Sequence, residues 1–233
     1  MKQQISSLWL IFICIHSAHA QPTASQAPNP CGPLANYAYG PYDYRSATPD
    51  QKSLVENAHF TPGVETLQVR KTGLFGHDIG YTLRAFPNHP RALVAMQHLV
   101  EKEKRNPADG APYTVECFYE RALRFQPNDY VVRLLFANFL VGRGETAEVA
   151  RHLAYVSDTQ ADNPFAAYNI GLIYFDMKNY DQALVHAHKA MKMGLMRGDL
   201  KARLEAVHKW VDPEPDTPSE TASMPASAAS GAH

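Results

Sequence analysis

Asn163 to Gly194, NPFAAYNIGLIYFDMKNYDQALVHAHKAMKMG, is the stretch on which the fold turns. Its first half repeats apolar residues at helical spacing, and Gly171 lies where a second helix can press against that face. Lys178-Asn179 makes a short turn. Tyr180 to Met193 then reads as a second amphipathic helix, with Ala183, Leu184, Ala187, Ala190 and Met191 along one side.

The same pattern extends backwards through the chain. Ala137 stands 34 residues before Gly171, Val149 stands 34 before Ala183, and Gly142 and Gly144 supply the turn between them. Further back, Arg84-Ala85-Phe86-Pro87-Asn88 matches Arg124-Phe125-Gln126-Pro127-Asn128 as the junction between two units. Gly171, Tyr174, Ala183 and Ala190 carry a resemblance to the tetratricopeptide repeat, although Ala167 replaces the usual Trp and the closing Pro is absent. The Pro87–Pro127 interval is 40 residues, six more than the family repeat, and Arg105–Pro112 (RNPADGAP) takes the surplus as a loop. The resemblance implies an all-α helical-repeat solenoid of about three helix pairs, which need one another to bury their faces.

The flanking segments give the remaining organisation. Residues 1–20 hold a positive start at Lys2, an apolar core from Leu8 to Ile15 and small residues at Ala18-His19-Ala20, the pattern of a cleavable signal peptide. Cys14 does not read as a lipoprotein cysteine, because bulky Ile13 precedes it. Export to the periplasm or beyond, with cleavage after Ala20, is the expectation. Residues 21–45 form a linker and a tyrosine-rich arm. Its tyrosines at 37, 39, 42 and 44 fall in two pairs that each point one way in an extended chain, laid on a neighbouring surface or offered to a glycan or peptide. Residues 46–86 read as a helical segment with a partial leading repeat. Thr48-Pro49-Asp50-Gln51 is a helix start, a short element of open type follows Thr61-Pro62, and Lys71–His77 reads as a Gly-rich loop. Residues 87–210 hold three repeats and a capping helix, Asp199–Trp210, with Asp199 as cap and Leu200, Leu204 and Val207 inward. Residues 211–233 are an acidic Pro-, Ser- and Ala-rich tail expected to be disordered.

Charge excludes a nucleic-acid partner. Residues 21–233 carry 21 basic and 23 acidic side chains, and residues 21–210 carry 21 and 19. No nucleophile motif, metal-protease helix, nucleotide fingerprint or paired-Cys zinc pattern occurs, so the chain reads as non-enzymatic, with no cofactor and no metal. His186 and His188 lie two apart and point about 200° from one another on a helix, so they cannot chelate one ion together. His98 with Glu101 has helical spacing but no third ligand. Beyond residue 20 only Cys31 and Cys117 remain, and in an oxidising compartment two cysteines most simply form one disulfide.

In the repeat family the first helices of successive units line a concave groove for a protein or peptide. Carried onto this chain, the resemblance implies a groove built from Arg91, Val94, His98, Glu101 and Lys102, then Val131, Leu134, Asn138, Val141 and Gly142, then Phe165, Tyr168, Leu172, Phe175 and Asp176. Val94, His98, Phe165 and Asn169 occupy the places where the family's carboxylate-clamping version needs Lys and Asn and further cations, so that clamp is not expected. The function implied is an adaptor in envelope assembly, secretion or surface-structure biogenesis. A small-molecule or glycan module using the tyrosine arm at the groove mouth is the alternative.

Overall fold

The computed structural model describes residues 29–34 and 39–213. The expected signal peptide, Tyr37 and residues 214–233 of the tail lie outside the described residues. Among the described residues there are ten helices and no strand, so the chain is all-α.

The leading segment starts as its sequence dictates. In α1 (Pro49–His59) the Thr48 hydroxyl accepts from the Gln51 amide at 3.2 Å, and the Gln51 side chain accepts from the Thr48 amide at 2.9 Å. The short element after Thr61 is one helical turn, α2 (Pro62–Glu65). α3 (Phe75–Ala85) begins earlier than the expected loop allows, taking in Phe75, Gly76 and His77. Position 76 requires glycine, because the backbone at Asp109 and Ala111 stands where a Cβ would be. The six-residue surplus over 105–112 is the expected loop, exposed or half-buried along most of its length, with its backbone at Asp109 and Ala111 packed on α3.

Three helix pairs follow: α4 (Pro90–Glu103) with α5 (Val115–Phe125), α6 (Tyr130–Arg143) with α7 (Thr146–Thr159), and α8 (Pro164–Asp176) with α9 (Tyr180–Lys192). Their junctions repeat atom for atom. The carbonyls of Phe86, Gln126 and Gln160 each accept, at 3.1 Å, from the amides of His89, Asp129 and Asn163. Those three side chains then cap α4, α6 and α8 by accepting from the amides of Ala92, Val132 and Ala166. The third junction carries Ala161 where the others have Pro, and makes the same turn.

Each first helix packs on the next, α4 on α6 and α6 on α8, and each is backed by its own second helix. The main core runs through Leu93, Met96, Leu99, Tyr119, Leu153 and Ile170. A second, smaller core belongs to α8, α9 and α10 (Asp199–Ala206). A Cβ on Gly171 would stand 2.6 Å from Leu200 Cδ2 and 3.3 Å from the Ala183 carbonyl oxygen, so α9 and α10 both close on α8 there. α10 is shorter than expected. Gly198 takes the cap position, Asp199 is its first residue, and Val207 is only half-buried.

The arm over 39–47 lies against α1 and α3. Tyr39 donates its hydroxyl to the Gln51 carbonyl at 2.9 Å, and the Tyr42 and Tyr44 rings meet Phe86 with centroids 6.1 and 5.7 Å away. Buried Asn88 ties the arm to the stack, accepting from the Tyr44 amide and donating to Asp43 at 2.7 Å and to Asp129 at 2.9 Å. Arg45 hydrogen-bonds Asp43 at 2.7 Å, and chiefly through that bond the Asp43 carboxyl is held down at about 2. Upstream, Cys31 and Cys117 form the expected disulfide, with 5.0 Å between Cα atoms. Arg121 donates to the carbonyls of Cys31 and Pro33, and Arg124 to that of Gly32.

His89, fully buried, stacks on Tyr44 with centroids 4.0 Å apart. Its Nδ1 accepts from the Ala92 amide, so Nε2 carries the proton and donates to Glu56 Oε1 at 3.1 Å. Burial pushes this imidazole down to about 4 and outweighs the pull of Glu56. The unfolded chain therefore takes up the proton first as pH falls below about 6.5, and by pH 4 this one site costs about 3 kcal/mol of stability. His89→Asn keeps a capping acceptor, as Asn163 does at the equivalent junction. Urea unfolding at pH 7 and pH 4 should show a smaller acid-induced loss in this variant, and an unchanged loss would remove His89 as its source.

Candidate functional site

The first helices α4, α6 and α8 present a continuous depression. One section, about 470 Å³, is lined by Pro90, Arg91, Val94, Ala95 and His98 of α4, by Glu65 at the end of α2 and Thr66 just beyond it, and by Val131 and Leu135 of α6. The next, about 340 Å³, shares Val131 and Leu135 and adds Leu134 and Asn138 of α6, Phe165, Asn169 and Leu172 of α8, and Arg203 of α10. The two shared side chains make these sections one groove.

Of the residues that the resemblance placed in the groove, the structure brings Arg91, Val94, His98, Val131, Leu134, Asn138, Phe165, Leu172 and Asp176 to its lining. Phe165 is 55% exposed and Val131 40%, and both stand on this face. Arg91 is held by Glu65 at 2.8 Å and Glu56 at 3.4 Å, and Asp176 by Arg203 at 3.4 Å, so an ion pair stands at each end. Between them the lining is mostly aliphatic or aromatic, with Thr66, His98 and the Asn138 and Asn169 amides among its polar side chains. Asn169 donates to the Phe165 carbonyl at 2.7 Å, which orients it on the helix.

Six expected residues stand elsewhere. Glu101, Lys102, Val141 and Gly142, near the C-terminal ends of α4 and α6, line neither section, and Lys102 donates to the Leu67 carbonyl. Tyr168 and Phe175 turn into the fold. Tyr168 is 4% exposed and packs in the small core beneath α10, with the Arg197 guanidinium 5.3 Å from its ring centroid. Burial, with Asp199 beside it, raises its phenol. Phe175 turns to Tyr180, at 5.3 Å, and lies under Arg203. The reason is the capping helix: α8 is apolar around nearly its whole circumference, and α10 covers the part carrying Tyr168. Leu135 was missed, although its place four residues after Val131 puts it on the same helical stripe.

The described tyrosines of the arm are committed to the fold, Tyr39 to Gln51 and Tyr44 to Glu56 at 2.8 Å. His186 is buried against Tyr174, whereas the Nε2 of His188 faces the Val211 carbonyl at 2.8 Å, so the pair diverges. Among the described residues no group of three or more His, Cys, Asp or Glu could hold a metal ion. Nor is any described helix long and apolar enough to cross a membrane.

The chain matches no family model, no curated protein and no solved structure.

Proposed function

We propose that the chain is an exported, non-enzymatic adaptor of tetratricopeptide type, which takes an extended segment of a protein or peptide in the groove across α4, α6 and α8. The observation that carries this reading is the continuity of the groove through Val131 and Leu135, with exposed Phe165 at its rear. Apolar walls with two side-chain amides suit a peptide whose alternate side chains enter the groove while its backbone meets Asn138 and Asn169. The Cys31–Cys117 bond favours an oxidising compartment, in keeping with export. The glycan alternative has less support, because Tyr39, Tyr42 and Tyr44 turn towards Gln51, Phe86 and Glu56.

Photo-crosslinking tests the reading. A crosslinking side chain at Phe165 is expected to label discrete envelope proteins, and Leu135→Arg to abolish that labelling by placing a charge in the groove floor. The same probe at Val185, exposed on α9, should label none of them. Equal labelling from both positions, or labelling indifferent to Leu135→Arg, would sink the groove as the binding surface.

A further inference from the structure

A second recess of about 550 Å³ lies between α5 and α7 with α6 as its floor, and it shares no lining residue with the groove. Its inner end is aromatic. Phe136 lies flat on Tyr119, with centroids 4.9 Å apart, and the His152 ring stands 5.1 Å from Phe136. His152 is 6% exposed, and its Nδ1 is 3.3 Å from an Arg133 guanidinium nitrogen. A guanidinium has no acceptor, so Nδ1 accepts and Nε2 bears the proton. That Nε2–H is buried without a hydrogen-bond partner. The nearest carboxylate oxygen, on Glu148, is 4.0 Å off and is drawn away by Arg151. A buried donor left unmet is costly, and a ligand acceptor would satisfy it. Arg124 stands on the α5 wall with one of its five N–H groups used by the Gly32 carbonyl.

The other end is acidic. Seven residues along α6, about 10 Å, Arg143 pairs with Glu116 at 3.5 Å, and Glu145 lies beside them. The lining holds four Glu against three Arg, so a plain anion would meet net repulsion, whereas a ligand with a cation at its far end would not. Three extended residues of a peptide also span about 10 Å.

We propose that this recess binds a free peptide of about three residues, its carboxylate on the His152 Nε2–H and Arg124, its apolar side chains on Phe136 and Leu140, and its α-ammonium by Glu116 and Glu145. Calorimetry on the full chain with its disulfide intact tests this, using alanyl-leucyl-leucine with both termini free. Saturable binding is expected. Amidating the carboxyl end or acetylating the amino end should each weaken it about tenfold, the ratio that 1.4 kcal/mol produces. Arg124→Gln, a surface change, should weaken the free peptide similarly and the amidated one hardly further. Leu135→Arg, in the groove, should leave binding unchanged. Capped peptides that bind as well as the free one, binding lost in Leu135→Arg, or no binding at millimolar peptide would each overturn the proposal.

Discussion

Cys117→Ser is expected to lower the unfolding free energy by about 3–4.5 kcal/mol. The bond joins residues 86 apart, and closing a loop of that length removes about 4.5 kcal/mol of chain entropy from the unfolded state before any native strain is subtracted. Cys31 is 2% exposed, so the variant also leaves a buried thiol facing a hydroxyl. Urea unfolding of the variant and of the reduced wild-type chain should agree. A loss below about 1 kcal/mol would mean that the hydrogen bonds from Arg121 and Arg124 already fix segment 29–34 without the bond.

Asp78→Ala is the other large effect, about 3–5 kcal/mol. The carboxylate is wholly buried and accepts from the Thr72 hydroxyl at 2.6 Å, from the Thr72 and Lys71 amides at 3.0 Å each, and meets His59 Nδ1 at 3.2 Å. Burial alone would raise its pKa, but these donors outweigh burial and lower it. A depressed folded pKa means that the contribution is whole above the ordinary carboxylate range and is lost as pH falls through the folded value. The variant should therefore be far weaker than wild type at pH 7, with the gap narrowing in strong acid. An unchanged urea midpoint at pH 7 would show that the loop at Lys71 and Thr72 is held by something else.

Periodicity, caps and the paired Pro-Asn junctions made most of the fold legible, because each is a short-range rule written within one turn of helix. The Thr48–Gln51 cap and the order of the helix pairs follow from those rules alone. Gly76 shows where legibility ends. Its glycine answers to backbone at Asp109 and Ala111, more than thirty residues on, and no local pattern announces such an approach. The groove divides in the same way. Val94, Asn138 and Phe165 are legible through the resemblance, whose groove positions, carried onto α4, α6 and α8, fall on the lined face. Tyr168 is not, since α8 is apolar on nearly every side and its spacing cannot say which side α10 will cover.

A stack of helix pairs ordinarily opens from either end, because each pair touches only its neighbours. The arm alters this at one end only. Arg45 reaches Gln126 and Asn128 across 81 and 83 residues, and the disulfide spans 86, so the front of the molecule is a closed circuit in which α1 to α6 rise and fall together. Behind it, α8 gives Ile170 to the main core and Ala167 and Tyr168 to the smaller one, so α9 and α10 are the helices that can yield separately. The two ends of the groove are thus braced differently: Arg91 and Val94 stand on the closed circuit, whereas Phe165 and Leu172 stand on a helix backed by the pair that can yield.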